Sequence, residues 1–405
     1  MRFAFNSLLA VSLTVLAWQS ISSQAMSQTN DPVAAFGLKQ ETQATPIAPP
    51  QEEQPLEKSF EDIVREVQSN EFKINSLFSS IPIGFPKLQA AHMKKIAELR
   101  EVNEVLNSEL ETAALSSYEK DPENNPQATR MVYEMLVRKL DGSSGKFTFD
   151  PNGALELSDL MLKTGIGTQA NVDKGDIAYQ AFRASFAIQD YSRAEMMLAK
   201  MEENGRKADL SWTTYLKDAQ ECWQKELEIR SRETVADDLP QVKFKTSEGD
   251  FVVELFENQA PKTVGNFISL IERNFYNDLP FFEVRPSVSA ETGCPNGDGT
   301  GDPGYQIPCE WENEGARSHF TGTLSMSNNG KDTGGSQFFI THQRIPTFDE
   351  KYTVFGRVIE GLEVVYRLKQ ADGSFTAKDA RSKIITATVV RKRDHVYAPT
   401  PIEKQ

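Results

Sequence analysis

The sequence predicts two folded domains: an all-α domain over residues 58–235, and a closed antiparallel β-barrel with flanking helices over residues 239–395. The first observation is length, because 405 residues exceed what one ordinary hydrophobic core accommodates. The second is a change of hydrophobic period near Gln241. Apolar residues recur at helical spacing before this point and at every second position after it. We therefore expect a multidomain chain with helices first and strands second.

Residues 1–25 have the three-part pattern of a secretory signal peptide. A short basic start is followed by an apolar run over residues 3–18 and by small and polar residues that end at Ala25. An uncleaved membrane anchor is the alternative, but polar residues interrupt the run, which is shorter than the roughly 20 apolar residues of a span. We expect cleavage before Met26 and an exported protein, periplasmic or extracellular, with no stable membrane span.

Residues 26–57 are rich in Gln and Pro and poor in large apolar residues, which predicts a disordered linker. The whole chain has 58 acidic and 44 basic residues and a net charge of −14. It therefore lacks the overall positive charge that nucleic acid or anionic lipid attracts. We do not expect nucleic acid as a partner.

The region 58–235 has the spacing of amphipathic helices from its first residues. Ser59 is placed to cap a helix that begins with Phe60. Residues 178–194 resemble one tetratricopeptide-type hairpin, but a 34-residue repeat is not detectable, and a simple helical bundle is the alternative. No group of catalytic residues is found here. The helical domain is a candidate for contact with a protein partner or client.

From Gln241 onward, short alternating segments predict strands. A hairpin turns at residues 247–250, and a helix is expected over 263–273. Further strands are predicted at residues 281–285, 322–327, 337–341, 353–358 and 384–390. This succession favours a closed antiparallel barrel, followed by a tail over 396–405.

Five segments of this region resemble, in order, the cyclophilin family of peptidyl-prolyl cis-trans isomerases. They are Glu254–Phe267, Gly293–Tyr305, Gly322–Asn328, Gly335–Thr341 and Tyr352–Val358. The resemblance implies a barrel of cyclophilin type that assists protein folding by acting on proline-containing polypeptide clients. Rotation about an X-Pro amide takes tens to hundreds of seconds unaided. The family performs it without a cofactor.

The resemblance also implies the residues of a peptide groove. Phe339 corresponds to the floor of the proline pocket and Gln337 to the glutamine that binds the peptide. The remaining matched positions are two residues that contact the peptide backbone, one pocket-wall residue and one position that is often His or Tyr: Ser327, Asn328, Phe348 and Tyr352.

The chain departs from the family pattern at the catalytic position. Glu283 replaces the arginine that donates to the prolyl nitrogen, and Glu291 replaces a glutamine. Val288 and Ser289 replace the Phe-Met pair of the pocket. Because an ionised carboxylate cannot donate a hydrogen bond, weakened activity is expected, and a non-catalytic proline-peptide binding module or scaffold is the alternative. Arg285 is either a surrogate donor, acting with Gln337 and Phe339, or a surface partner of Glu283.

Neither a metal nor a nucleotide is expected. Residues 297–304 are glycine-rich but open no helix, which argues against a phosphate site. Asn296, Asp298, Thr300 and Asp302 alternate as in a calcium loop, yet Ile307 stands in place of the closing glutamate. A disulfide between Cys294 and Cys309 is compatible with an oxidising compartment, although nothing in their spacing requires it.

Overall fold

A computed structural model describes residues 58–81, 85–142, 149–166, 170–369, 371–372 and 380–402. The predicted signal peptide and linker lie outside these residues. The helical region and the sheet belong to one compact unit.

Helices fill the first part of the described chain. They are α1 (Phe60–Ser79), α2 (Pro86–Lys120), α3 (Pro126–Asp141), α4 (Pro151–Thr164), α5 (Lys174–Ala187), α6 (Tyr191–Glu203) and α7 (Leu210–Ala236). The predicted cap is confirmed, because the Ser59 side chain accepts a hydrogen bond from the backbone N–H of Asp62. Side chains also cap α3, α4 and α5, through Asn125, Asp150 and Asp173. The polar residues between the apolar runs thus set where these helices begin.

α5 and α6 pack closely as an antiparallel pair. Ala178 and Ala194 are fully buried and let the two helices approach, while Phe182, Phe186 and Tyr191 fill the space beside them. This is the pair whose sequence resembles a tetratricopeptide hairpin. That likeness stays a hypothesis, since the packing is equally that of a plain helical bundle.

The second part of the chain forms an eight-stranded antiparallel sheet. Its strands are β1 (Gln241–Thr246), β2 (Gly249–Leu255), β3 (Glu283–Arg285), β4 (Ser289–Thr292), β5 (Thr323–Met326), β6 (Phe338–Thr341), β7 (Thr353–Glu360) and β8 (Ile384–Arg391). Helices α8 (Pro261–Glu272) and α9 (Leu362–Tyr366) and the 3₁₀ helix Pro346–Phe348 accompany it. The core of this domain lies between the curled sheet and α8.

The strand order is β3-β4-β6-β5-β7-β2-β1-β8. In the described residues, the two edge strands β3 and β8 are joined only near their starts, where Pro280 and Lys383 form an isolated bridge. The prediction of a closed barrel is therefore confirmed only as far as a curled sheet. The reason is that this bridge is antiparallel, so the chain that follows Pro280 runs away from β8 and the two strands do not pair along their lengths.

Buried ion pairs join the helices to the sheet. Arg317, whose side chain is 1% exposed, donates to Glu226 and Glu233 of α7. Burial alone would raise the pKa of Glu226, but the hydrogen bonds and charge of Arg317 hold that pKa below its usual value. Nearby, Trp223 of α7 packs edge-on against Phe320, with 4.9 Å between the ring centroids. Such buried charges fix one orientation of the helices on the sheet.

Candidate active site

The predicted groove begins as a row of residues across four neighbouring strands. Glu283 of β3 pairs with Glu291 of β4, Glu291 with Phe339 of β6, and Phe339 with Ser325 of β5. Residues directly opposite one another in an antiparallel sheet point to the same face. The row next to it, Val284, Ala290, Ile340 and Leu324, is buried in the core. The first row therefore faces away from the core.

A polar cavity of about 410 Å³ lies beside this row. Five of the predicted site residues line it: Glu283, Glu291, Ser327, Asn328 and Gln337. Asp298 and Asp302 of the glycine-rich loop also line it. The described lining residues include four carboxylates and neither lysine nor arginine. The cavity is thus an acceptor-rich and anionic site.

Gln337 anchors the glycine-rich loop that forms one wall of the cavity. Its side-chain amide donates to the carbonyl oxygens of Gly299 at 3.1 Å and Gly301 at 2.6 Å. The backbone carbonyl of Gln337 accepts a hydrogen bond from the backbone N–H of Ser327 at 2.9 Å. Asn328 is fixed on the other side, because its amide donates to the Lys351 carbonyl. The predicted peptide-binding residues are therefore held in place before any ligand binds.

The carboxylates of the loop serve the loop itself. Asp298 accepts from the backbone and hydroxyl of Thr300, and Asp302 accepts from the N–H of Gly304. In the described residues, no group of three His, Cys, Asp or Glu side chains is arranged to hold a metal. These contacts account for the alternating pattern that resembles a calcium loop.

Glu283 forms an ion pair with Arg285. The Arg285 side chain is 68% exposed and is not part of the cavity lining. The structure therefore has the surface pair that the spacing allowed. Exposed pairs of this kind contribute about 0–1 kcal/mol, so Arg285 leaves Glu283 at little cost. Its role as a surrogate donor stays a prediction.

Glu291 is the more buried of the two acids in the row. Burial raises its pKa, and the nearby charge of Glu283 adds to this, although a hydrogen bond with Ser327 opposes it. A raised pKa favours the neutral acid, which can donate a hydrogen bond as a glutamine amide does. In its neutral form, Glu291 offers a donor where the family has a glutamine.

An aromatic cluster lies at the other end of the row. Phe339 packs edge-on against Phe348, at 5.5 Å between centroids, and against Tyr352, at 5.3 Å. Phe339 is only 5% exposed as a result. The predicted floor of the proline pocket is therefore largely covered. Val288 lies apart, in the turn between β3 and β4, where its carbonyl accepts from the backbone of His342.

His319 supports this cluster, and sequence reasoning did not identify it as a site residue. Its ring stacks on Phe339 at 5.9 Å. Nδ1 lies 2.8 Å from Asp349 and Nε2 lies 2.9 Å from the Ser325 hydroxyl. Burial lowers the pKa of His319 although Asp349 opposes this, so the ring is neutral and donates from Nδ1 to the Asp349 carboxylate.

The order Ser325, His319, Asp349 resembles a hydrolytic triad, but Ser325 is fully buried and cannot meet a substrate. The network instead continues to the helices, since Arg344 bridges Asp349 and Asp218 of α7. The signal in the sequence that could have identified His319 is its position, three residues before Gly322, where a segment that carries the family resemblance begins.

The described cysteines form no disulfide. Cys294 is buried and accepts from the backbone of Gly301 at 3.2 Å, and Cys309 accepts from that of Asp332 at 3.0 Å. The two sulfurs thus hold separate loops.

Comparison with known proteins gives the same picture of the C-terminal domain. Residues 241–390 match the model of the family described as cyclophilin type peptidyl-prolyl cis-trans isomerase/CLD. A peptidyl-prolyl cis-trans isomerase of Synechococcus elongatus is 42% identical over 142 residues, which are 35% of this chain and 96% of that protein. Peptidyl-prolyl cis-trans isomerase B of Bacillus subtilis is 47% identical over 119 residues, 29% of this chain and 82% of the relative.

Two solved structures of a cyclophilin-type isomerase from Cryptosporidium parvum are also similar. The match to one of them covers 38% of this chain and 99% of the solved chain, with 27% identity and a TM-score of 0.35. The other, determined in the presence of the dipeptide Ala-Pro, covers 37% and 98%, with 27% identity and a TM-score of 0.34.

Proposed function

This chain belongs to the family of cyclophilin-type peptidyl-prolyl cis-trans isomerases, and from that membership we propose that it isomerises X-Pro bonds of exported polypeptides slowly. The task of such an enzyme is to lower a rotation barrier of roughly 18–20 kcal/mol. The protein contributes positioned groups that stabilise the twisted amide, and no cofactor takes part.

The single observation that carries slow turnover is the Glu283–Arg285 ion pair. At the position from which the family arginine donates, this chain has an acceptor. The nearest cation on the same strand is turned to the surface and neutralised by that acceptor. A charge-assisted donor to the prolyl nitrogen is therefore missing, and its loss costs about 10²–10³ in rate.

The second candidate function is proline-peptide binding without turnover. It is favoured by Phe339, whose ring is covered by Phe348 and Tyr352. Little of the Phe339 ring is therefore open to a proline ring, whereas Gln337, Ser327 and Asn328 line the open cavity beside it. Under this alternative the groove retains clients and does not catalyse.

Export and the role of the helices are part of the proposal. Export is supported by the basic, apolar and small-residue pattern of residues 1–25. A role of the helical domain in holding the sheet domain is supported by the buried pairs of Arg317 with Glu226 and Glu233. These contacts give the two regions one fixed orientation. Contact of the helical domain with partners or clients rests on the tetratricopeptide-like pattern of residues 178–194.

A protease-coupled isomerisation assay and calorimetry with an X-Pro peptide test the proposal. The chain from Met26 onward should bind the peptide and turn it over far more slowly than a family member with the full motif. Phe339→Ala should weaken binding by about 2 kcal/mol, because apolar contact with the proline ring is lost. Binding without any turnover would favour the second candidate. Unchanged affinity of Phe339→Ala would show that the groove is elsewhere.

A further inference from the structure

The hairpin of α1 and α2 extends beyond the packed part of the helical domain. α1 buries residues only as far as Asn70, and α2 buries none before Ile96. Between them, the described residues 71–81 and 85–95 include none that is buried. About ten residues of each helix therefore project some 15 Å past the core.

The hairpin tip, residues 72–81 and 85–95, exposes large apolar side chains. Phe72, Phe78 and Phe85 are the three exposed phenylalanines among the described residues, and Leu88 and Met93 are exposed with them. Phe72 is 77% and Phe85 65% exposed. Apolar side chains gathered at one end of a fold mark a surface that another apolar phase covers.

The same tip is basic in an acidic protein. It contains Lys73, Lys87, Lys94 and Lys95 and neither Asp nor Glu, with Glu71 at its border, while the chain as a whole carries a net charge of −14. The net charge of the whole chain argues against binding to anionic lipid, but it does not show that the charges are unevenly distributed and that the tip is locally basic. Lysines beside exposed aromatic and aliphatic side chains are the composition of a membrane-surface helix.

We propose that the hairpin tip docks on the anionic surface of a lipid bilayer. Phe78, Phe85 and Leu88 enter the headgroup region, and the lysines meet the lipid phosphates. A second copy of the chain is the less favoured occupant, because two tips with four lysines each repel one another. In the ranges that the structure describes, no helix is long and apolar enough to cross a membrane. This surface is independent of the isomerase groove.

Vesicle flotation with the chain from Met26 onward tests the proposal, since this form lacks the apolar run of residues 3–18. The protein should bind vesicles that contain phosphatidylglycerol and not those of phosphatidylcholine alone, and high salt should weaken binding. Each lysine near the surface contributes about 5-fold, so replacing Lys87, Lys94 and Lys95 by glutamine should reduce binding about 100-fold. Phe85→Ser with Leu88→Ser should reduce it by about 10-fold or more.

Matched controls separate the tip from general charge and hydrophobicity. One control replaces three exposed lysines around α7 by glutamine: Lys207, Lys217 and Lys225. Another control replaces the exposed Leu210 by serine. Both should bind as the wild type does, with unchanged helix content by circular dichroism.

Three results overturn the proposal. The first is absence of wild-type binding to phosphatidylglycerol vesicles. The second is equal weakening by the tip and control lysine variants, which would reflect net charge alone. The third is a wild-type protein that binds no vesicles and is a dimer in light scattering, with Phe85→Ser and Leu88→Ser together converting the dimer to a monomer. In that case a second copy of the chain would cover the tip.

Discussion

Replacing Glu283 with arginine restores the family donor at the position where this chain has lost it. Glu283 is the first residue of β3, and its side chain is 29% exposed, so the strand has room for a longer side chain. Its direct cross-strand neighbour is Glu291. Side chains at such positions interact across roughly 5 Å between their Cβ atoms. An introduced guanidinium therefore has a carboxyl partner beside it.

The gain in kcat/KM expected for Glu283→Arg depends on its neighbour Glu291. A preorganised donor is worth about 10²–10³ in rate. Glu291, when ionised, draws the new guanidinium away from the prolyl nitrogen, so we expect Glu283→Arg to raise kcat/KM by about 10-fold. Adding Glu291→Gln removes the competing charge and should bring the gain to about 100-fold. Recovery stays incomplete because Val288 and Ser289 leave the pocket with less apolar contact than a Phe-Met pair.

The protease-coupled isomerisation assay measures both variants against Glu360→Arg, which makes the same charge change at an exposed position of β7. A gain for Glu283→Arg that Glu360→Arg does not share supports the account. Arg285→Ala tests the surrogate donor and should abolish turnover if Arg285 supplies it. Robust wild-type turnover that Glu283→Arg does not raise and Arg285→Ala does not lower would refute the reasoning.

Three further predictions concern buried charge. Because burial raises the folded-state pKa of Glu291, its ionised form destabilises the protein above that pKa, so Glu291→Gln should raise the denaturation midpoint at neutral pH and lose this advantage in acid. Burial lowers the pKa of His342 to about 3, so the unfolded state binds more protons below its ordinary pKa. From about pH 7 to pH 5, the wild type should lose about 2 kcal/mol more stability in urea titrations than His342→Phe does. Arg317→Met should cost about 3 kcal/mol because it removes three buried charge-assisted hydrogen bonds to Glu226 and Glu233, which keep Arg230 and Arg357 as partners. Lys392→Met, at an exposed pair, should cost less than about 1 kcal/mol.

The elements with large apolar residues were predictable from the sequence, and those built on small or polar ones were not. The helical character predicted for residues 58–235 agrees with the seven helices α1 to α7 of the described residues. β4 was missed because its buried positions are Ala290 and Thr292, which give no hydrophobic alternation. α9 was missed because five residues are too short to show a helical period. Local patterns thus located elements only where burial selects large side chains.

Part of the candidate site could be predicted because the family resemblance fixes a register. The resemblance assigns Glu283 and Glu291 to one groove, but their position opposite each other on β3 and β4 is known only from the structure. The covering of Phe339 and the support from His319 could not be predicted in this way. Asp349 lies 30 residues from His319, and such contacts depend on how distant loops pack.

Two adjacent rows of the sheet explain why the family resemblance survives a changed active site. Val284, Ala290, Ile340 and Leu324 form the inner row and build the core, whereas Glu283 belongs to the outer row. Because strand side chains alternate between faces, the outer row can change without disturbing the inner one. We therefore expect Glu283→Arg to leave the thermal midpoint nearly unchanged, while Ile340→Ala lowers stability by about 2–5 kcal/mol. A large stability loss in Glu283→Arg would mean that the outer row also holds the fold, and its activity could then not be interpreted as chemistry alone.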